Sequence, residues 1–293
     1  MKILVTGSEG FVGQYLIAQL KNQKHDVSEF DIATGQNILN EAHLDKALNK
    51  IDVVFHLAAI IENRNPSLWK VNVDGTKQLI KKAIEKKVKK FIFLSSTGVY
   101  GFTKQEVDEK TPTKPENQYE KSKVEAESIV LSHQEEIEVC VLRSAMILGP
   151  NQYWSKMFKG LKKGLPLPIK GKNIFQIIFV KELINALILI MKKGESGEIY
   201  LVSGKERLTL KSFCVAVKGQ LGKKKKILTI PTFCALVLGK LLRIKILTRE
   251  NVRHLSKERK YNIKKIETLG FEQKHNLEEA IIEIIEDMKQ MDL

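Results

Sequence analysis

The alternation of two kinds of segment along the first half of the chain most limits its possible folds. Short apolar, β-branched segments predict five strands, at Lys2–Thr6, Asp26–Asp31, Asp52–Leu57, Lys90–Ser95 and Val139–Arg143. Amphipathic segments between them predict helices at Phe11–Lys24, Glu41–Asn49, Val71–Lys87 and Asn117–His133. Right-handed crossovers place such helices on both faces of a parallel sheet, so the sequence predicts a doubly wound α/β fold.

The alternation changes after Gly149-Pro150, where aromatic residues and the turn-rich segment 163–168 follow. The rest of the chain predicts a strand and helix from Ile174 to Met191, a strand at Gly197–Val202, a helix at Leu210–Leu221 and a final helix at Leu277–Met291. We therefore predict a first domain at 1–150, to which 174–202 returns, and a smaller, mainly helical substrate lobe at 151–293.

The net charge of the chain limits the classes of partner to be considered. Lys and Arg number 49 and Asp and Glu 34, which gives +15 and leaves nucleic acid, an anionic membrane and a small polyanionic substrate to consider. Many of the lysines fall on predicted solvent faces of helices, without the interleaved aromatic residues of a nucleic-acid-binding surface. We expect no nucleic-acid partner, and a positive field that favours a nucleotide diphosphate.

Cysteine usage and hydropathy predict a cytoplasmic protein. The three cysteines, Cys140, Cys214 and Cys234, are far apart and form no CxxC pair, so neither a disulfide framework nor a metal site is expected. The first residues lead directly into glycines instead of a signal peptide, and no apolar run reaches the length of a membrane span.

One basic cluster has two interpretations. Lys223–Lys226 precede an apolar predicted helix at Pro231–Leu242, and further cations follow at Arg243 and Lys245. This arrangement fits peripheral contact of 223–245 with anionic lipid. It also fits a helix packed within the substrate lobe beside a solvated turn.

A glycine-rich segment joins the first predicted strand to the first helix. In Gly7-Ser8-Glu9-Gly10-Phe11-Val12-Gly13, the glycines allow a tight turn, a close approach to a pyrophosphate and close packing of helix on strand. Asp31 ends the second strand, 18 residues after Gly13, where a carboxylate can bind both ribose hydroxyls of an adenosine. A carboxylate there repels a 2′-phosphate and no arginine follows it, which favours NAD over NADP.

Several further motifs give the chain a resemblance that spans nearly its whole length. They are Gly7-x-x-Gly10-x-x-Gly13, Asp31, His56-Leu57-Ala58-Ala59, Asn72-Val73-Asp74-Gly75-Thr76, Ser95-Ser96-Thr97-Gly98-Val99-Tyr100-Gly101, Tyr119-x-x-x-Lys123, and Arg143 ahead of Gly149-Pro150. In this order the set resembles the extended short-chain dehydrogenase/reductases, the NAD-dependent epimerase/dehydratase family. The resemblance implies a Rossmann-type fold, a nucleotide-sugar substrate and a homodimer.

The catalytic pair is chosen by position, because the YxxxK pattern occurs three times. Tyr100/Lys104 lies in a turn and Tyr261/Lys265 lies outside the cofactor half, whereas Tyr119/Lys123 opens a helix between strands four and five. A Lys four residues after a Tyr shares its helix face and is expected to lower the pKa of the phenol. Tyr119 and Lys123 are therefore the predicted acid–base pair.

The serine and its neighbours refine the predicted reaction. Counted from Val99-Tyr100-Gly101, the resemblance assigns the catalytic hydroxyl to Ser96 and not to Ser95. The sugar-nucleotide 4,6-dehydratases of the family carry an Asp-Glu pair at the next two positions, which here are Thr97 and Gly98. Dehydration needs an acid to protonate the leaving hydroxyl, so this activity is not expected.

The resemblance also assigns cofactor contacts and supporting residues. The expected NAD-binding residues are Gly7, Gly10, Phe11, Val12, Gly13, Asp31, Asn37, Leu57, Ala58, Ala59, Tyr119, Lys123 and Ser144. Among them, Asn37 replaces an adenine-binding Asp of many relatives, and Ser144 stands where a Pro is usual. Segment 173–182 lacks the Arg that often holds a substrate diphosphate. His56 and Asn72 are expected to be structural.

The predicted function is NAD-dependent oxidoreduction at a hydroxyl or keto carbon of a nucleotide-activated sugar. The resemblance points to a 4-epimerase or 4-ketoreductase of surface-polysaccharide synthesis. One alternative is a hydroxysteroid- or flavanol-type reductase of the same superfamily. Another is a non-catalytic dinucleotide sensor or nucleic-acid-binding protein, which would have no need of a matched Ser96, Tyr119 and Lys123 set.

Overall fold

A six-stranded parallel sheet forms the centre of the computed structural model, which describes residues 1–164, 173–223, 227 and 258–290. In chain order the strands are β1 (Lys2–Thr6), β2 (Asp26–Phe30), β3 (Val53–His56), β4 (Lys90–Ser96), β6 (Glu138–Ser144) and β10 (Glu198–Val202). Across the sheet they lie in the order β2-β1-β3-β4-β6-β10. The chain reverses its direction of travel across the sheet between β1 and β3, which opens a crevice at the carboxyl ends of these strands.

Helices cover both faces of the sheet. On one face lie α1 (Phe11–Asn22) and α6 (Val180–Lys193), and on the other lie α2 (Glu41–Ala47), α3 (Thr76–Glu85) and α4 (Gln118–Ser132). Alternate strand residues serve the two faces: Ile3 and Val5 pack with α1 and α6, whereas Leu4 packs with α2 and α3. Burial on both faces explains why the strands are continuously apolar.

A second apolar cluster lies beyond the sheet. The helices α5 (Gln152–Lys162), α7 (Leu210–Gln220) and α9 (Leu277–Gln290) pack around Trp154, Phe213 and Ile284. The remaining elements are short: β5 (Glu106–Val107), β7 (Met146–Leu148), β8 (Ile174–Phe175), β9 (Ile177–Phe179), β11 (Leu208–Thr209), β12 (Lys260–Tyr261) and α8 (Lys264–Thr268). The six short strands form three two-stranded sheets, β5 with β12, β7 with β9 and β8 with β11.

The predicted doubly wound fold is confirmed, with local differences. The predicted helix Val71–Lys87 is divided into a π-helical turn at Lys70–Gly75 and α3, and the widened turn presents Asn72 to neighbouring elements. The helix α5 was not expected from the aromatic residues that form it. The domain boundary at residue 150 stays a prediction.

The basic cluster and the apolar helix after it cannot be compared with the structure. Residues 224–226 and 228–257, which include most of Lys223–Lys226 and all of Pro231–Leu242, lie outside the described residues. Within the described ranges, no helix is both long and apolar enough to cross a membrane.

Candidate active site

A cavity of about 720 Å³ lies at the carboxyl ends of the central strands. Most of the predicted site residues line it: Gly7, Gly10, Phe11, Val12, Gly13, Leu57, Ala59, Ser96, Tyr119, Lys123 and Ser144. These residues come from five separate parts of the chain and meet because parallel strands present their carboxyl ends at one edge. Of the other predicted residues, Asp31, Asn37 and Ala58 lie outside the cavity lining.

The three glycines of the loop after β1 have different roles. Gly7 has a φ of +74°, and a Cβ on it would stand 2.7 Å from the backbone nitrogen of Ala58. A Cβ on Gly13 would stand 2.1 Å from the carbonyl oxygen of Gly7. At Gly10 the nearest atom would be the same oxygen, at 3.0 Å. Gly7 and Gly13 are therefore needed for packing, whereas Gly10 keeps the cavity wall free of a side chain.

The loop fits a bound dinucleotide. The helix α1 begins at this loop without a side-chain cap, which leaves backbone N–H groups of its first turn available to an anion. Ser8 Oγ is buried and has no protein partner in the part of the chain that the structure describes. A diphosphate at the start of α1 would accept hydrogen bonds from these backbone N–H groups and from the Ser8 hydroxyl.

Asp31 connects the end of β2 to the glycine loop. Its carboxylate accepts hydrogen bonds from the backbone nitrogens of Glu9, at 3.1 Å, and Ala33, at 2.9 Å. The carboxylate is thus held beside the loop, as a ribose-binding group must be. The Asn37 side chain accepts a bond from the backbone nitrogen of Leu39, at 2.9 Å, so its predicted adenine contact stays a prediction.

Ser96 and Tyr119 meet across the cavity. Ser96 ends β4, and its Oγ accepts a hydrogen bond from the backbone nitrogen of Gly98 at 3.0 Å. Tyr119 lies in the first turn of α4, whose N-cap Asn117 binds the backbone nitrogen of Glu120 at 2.9 Å. Burial raises the pKa of Tyr119 to about 12, and a hydrogen bond with Ser96 opposes that rise. Near neutral pH the phenol is therefore protonated.

Lys123 is anchored to β4. Its Nζ donates to the carbonyl oxygen of Leu94 at 2.6 Å and lies 4.0 Å from the ring centroid of Phe93. Burial lowers the pKa of Lys123 to about 7, and the carboxylate of Glu127 opposes this. The sequence predicts that Lys123 lowers the pKa of the Tyr119 phenol. In this structure Ser96, and not Lys123, is the group that lowers it.

The two other YxxxK matches have structural roles. Tyr100 is buried, and its hydroxyl accepts a hydrogen bond from Arg143 Nη1 at 2.9 Å. Tyr261 lies buried in β12, and Lys265 forms an ion pair with Glu198. Only the Tyr119/Lys123 pair, of the three, lines the cavity.

His56 and Asn72 are buried supports of the site. The two ring nitrogens of His56 lie 2.8 Å from Thr6 Oγ1 and 2.9 Å from Thr76 Oγ1, and burial together with Lys123 lowers its pKa to about 3. The Asn72 amide binds the backbone of Ile60 and donates to Ser122 Oγ at 3.0 Å. Asn72 thus joins the loop after β3 to the helix that carries Lys123.

Several cavity residues were not predicted from the sequence. Asn63 Oδ1 accepts from the backbone nitrogen of Tyr119 at 3.0 Å, and Arg64, Tyr153 and Arg259 also line the cavity. Burial raises the pKa of Tyr153 to about 12, while the positive charge of Arg259 acts to lower it, which indicates that the two side chains are close. No local motif marks these residues, because the tertiary fold brings them to the cavity from distant parts of the chain.

The buried pair Glu127 and Arg143 was also missed as a pair. Arg143 Nη2 lies 2.7 Å from Glu127 Oε2. Glu127 lies in α4 and Arg143 in β6, so no local spacing in the sequence indicates this pair. Within the described residues, no group of three or more His, Cys, Asp or Glu side chains is arranged to hold a metal.

Comparison with known proteins gives a consistent result. The model of the NAD dependent epimerase/dehydratase family matches residues 3–203. The chain is 30% identical over 237 residues to the human dTDP-D-glucose 4,6-dehydratase, covering 68% of each chain. Among solved structures, the UDP-glucose 4-epimerase of Thermotoga maritima with UDP-glucose superposes with a TM-score of 0.84 at 24% identity and full coverage of both chains. The UDP-glucuronic acid 4-epimerase of Bacillus cereus in complex with NAD gives 0.82 at 24% identity and 99% coverage of both.

Proposed function

Since this chain belongs to the NAD-dependent epimerase/dehydratase family, we propose that it oxidises or reduces a sugar carbon of a nucleotide-activated sugar, as a 4-epimerase or a 4-ketoreductase. NAD is the cofactor of this family, as predicted. The observation that carries the proposal is the meeting of Ser96, Tyr119 and Lys123 in the cavity that the glycine loop borders.

The roles of the three residues follow from their chemistry. Tyr119 exchanges a proton with the sugar oxygen, and Ser96, hydrogen-bonded to Tyr119, binds that oxygen. Lys123 would hold the cofactor ribose. Bound NAD supplies the hydride acceptor and donor. Because the Tyr119 phenol is protonated near neutral pH, its resting form is the one that protonates a ketone oxygen.

We do not expect dehydration, although the human relative is named a 4,6-dehydratase. Neither Thr97 nor Gly98 carries a carboxylate. The carboxylate of Glu120 lies beside Gly98, and its Oε2 accepts a hydrogen bond from the backbone nitrogen of Glu116 at 2.7 Å. Glu120 therefore supports the start of α4. Its position in the sequence also differs from the positions of Thr97 and Gly98, where a dehydratase carries its acid.

Two arginines in the cavity lining suit a nucleotide diphosphate. Arg64 and Arg259 line it, and each provides a planar set of donors that matches phosphate oxygens. The sequence lacks the usual diphosphate Arg in segment 173–182, and Arg259 is our candidate to replace it. The relatives support the substrate class, since one is named for a dTDP-sugar and another was solved with UDP-glucose. A cytoplasmic location and a homodimer stay predictions.

The experiment is a conversion assay with a panel of UDP- and dTDP-hexoses and their 4-keto derivatives, and with a steroid and a flavonoid alcohol for comparison. The purified protein is incubated with each compound and either NAD⁺ or NADH, while nicotinamide absorbance and the NMR spectrum of the compound are followed. A 4-epimerase changes the sugar spectrum without net NADH, whereas a 4-ketoreductase consumes NADH with a 4-keto sugar. The Tyr119→Phe variant is the matched control. Turnover of a steroid or flavonoid alcohol that UDP does not inhibit, with no nucleotide sugar converted, would overturn the proposal.

A further inference from the structure

The peptide N–H of Tyr119 has a hydrogen-bond partner from a distant part of the chain. The first N–H groups of a helix have no partner within the helix, and an N-cap side chain accepts from the second or the third of them. In α4 the N-cap Asn117 accepts from the backbone nitrogen of Glu120, at 2.9 Å. The backbone nitrogen of Tyr119 donates instead to Asn63 Oδ1, at 3.0 Å. Asn63 lies in the loop after β3, so this loop completes the cap of the helix that carries Tyr119.

The carbonyl group of Tyr119 is connected to the same loop. It accepts a hydrogen bond from Ser122 Oγ at 2.8 Å, and Ser122 Oγ accepts one from the Asn72 amide at 3.0 Å. The Asn72 side chain also binds the backbone nitrogen and the carbonyl oxygen of Ile60, at 2.8 and 2.9 Å. The backbone of Tyr119 is therefore tied to segment 60–63 at both its N–H and its carbonyl group.

This segment also forms part of the cavity wall. Ile61, Glu62 and Asn63 line the cavity together with Tyr119. The side chains of Ile61 and Glu62 are exposed, so burial contributes little to holding the segment in place. The hydrogen bonds of Asn63 and Asn72 hold it instead. The position of the segment and that of the Tyr119 backbone therefore depend on each other.

We propose that Asn63 is a positioning residue for Tyr119, whose side chain fixes the first turn of α4 so that the phenol meets Ser96 in the cavity. This inference rests on the proposed function for its catalytic meaning. Without the Asn63 acceptor the Tyr119 N–H loses its cap, and the phenol is no longer held in one place. A displacement of about 1 Å at a reacting group is enough to lower a rate by about 10²-fold.

The first test is steady-state kinetics with a nucleotide sugar that the parent protein converts. We expect Asn63→Ala to lower kcat by about 10- to 100-fold, and to leave both KM for the sugar and Kd for NAD within about twofold of the parent. The reason is that Asn63 acts on the group that transfers the proton and not on the bound ligands. Asn63→Asp keeps an oxygen acceptor for the Tyr119 N–H, so it should recover most of the lost kcat.

Asn65 offers a matched control in the same loop. Its Oδ1 accepts a hydrogen bond from the backbone nitrogen of Ser67 at 2.9 Å, so Asn65→Ala also removes a side-chain acceptor, but one that serves the loop itself. Asn65→Ala should keep kcat within about threefold of the parent. An equal loss of kcat in the two alanine variants would overturn the proposal, because general order of the loop would then explain both. A rise in KM without a fall in kcat would also overturn it, since Asn63 would then be a substrate contact.

The second test is hydrogen exchange in the full-length protein, which needs no turnover. Selective ¹⁵N labelling of the six tyrosines simplifies the amide spectrum, and the signal of Tyr119 is the one lost in Tyr119→Phe. We expect exchange of the Tyr119 amide to accelerate by at least about tenfold in Asn63→Ala and to stay unchanged in Asn65→Ala. An unchanged exchange rate in Asn63→Ala contradicts the proposal.

The two tests fail for different reasons. If the parent protein converts no nucleotide sugar, the proposed function fails, whereas the exchange rates still decide whether Asn63 holds Tyr119. If Asn63→Ala does not fold, Asn63→Gln, which moves the acceptor by one methylene group, is measured in its place with the same expected results.

Discussion

The glycine loop permits a prediction that separates packing from ligand binding. At Gly13, an added Cβ would lie 2.1 Å from the carbonyl oxygen of Gly7 and 2.8 Å from that of Ser8. Both neighbours are backbone atoms, so the start of α1 must move by roughly 1 Å, at a strain of about 3 kcal/mol. The better helix propensity of alanine offsets about 1 kcal/mol of this strain. Gly13→Ala should therefore destabilise the protein by about 2 kcal/mol.

At Gly10 the same change should act on the ligand instead. Its Cβ would contact only the Gly7 carbonyl oxygen, at 3.0 Å, and would stand in the wall of the cavity. Gly10→Ala should remain within about 1 kcal/mol of the parent in unfolding free energy, since alanine is merely a poorer N-cap. It should bind NAD at least about tenfold more weakly, because the backbone no longer reaches the diphosphate.

Urea unfolding and calorimetric titration with NAD measure the two effects. Gly164→Ala is a control, because Gly164 has a φ of +77° and, among the residues that the structure describes, no neighbour within 4 Å of the added Cβ. It should cost about 1–2 kcal/mol in stability and leave NAD affinity unchanged. The reasoning would be refuted by a Gly13→Ala protein as stable as the parent, or by a Gly10→Ala protein that binds NAD normally.

Four further variants test the site and the second apolar cluster. Tyr119→Phe should lower kcat by about 10²–10⁴-fold with unchanged NAD affinity, measured by single-turnover kinetics. Arg259→Met should raise KM for a nucleotide sugar by about tenfold and leave the NAD Kd alone, as one charge-assisted bond to phosphate is lost. Phe213→Ala should cost about 3–5 kcal/mol in urea unfolding without changing NAD affinity, because Phe213 is fully buried in the second apolar cluster. Burial lowers the Lys123 pKa from 10.5 to about 7, so the folded protein binds fewer protons than the unfolded chain between these values. Lys123→Met should then increase the free energy of unfolding most below pH 7, and this gain should be lost as the pH rises from about 7 to 10.5. Urea unfolding at a series of pH values measures it.

The sheet and its helices were predictable because their signals are local. The strand β3 reads Val53-Val54-Phe55-His56 and is buried on both faces, so its apolar run identifies it without knowledge of its neighbours. Helix α4 begins at an Asn N-cap, Asn117, which marks its start in the sequence. Element boundaries were less precise, and the π-helical turn before α3 was not predicted; it accompanies a hydrogen bond from Asn72 to the Ile60 backbone, which is a contact between distant elements.

The site was predictable where a motif carries it. Ser96, Tyr119 and Lys123 were chosen from their order along the chain, and all three line the cavity. Their electrostatics were not predictable from spacing alone. The Lys123 ammonium binds the Leu94 carbonyl oxygen, and its burial, which no sequence pattern measures, brings its pKa to about 7.

The sequence by itself determined the doubly wound fold, the glycine loop and the choice of Ser96, Tyr119 and Lys123 as candidate catalytic residues, because periodicity and motif spacing act over a few neighbouring residues. Tertiary structure alone decided the roles of the tyrosines in the two other YxxxK matches, since Tyr100 is bound by Arg143 and Tyr261 is buried in β12. It also brought Arg64 and Arg259, 195 residues apart, to one cavity. Burial and long-range contact set the charge state of a side chain, and both exist only once the chain has folded.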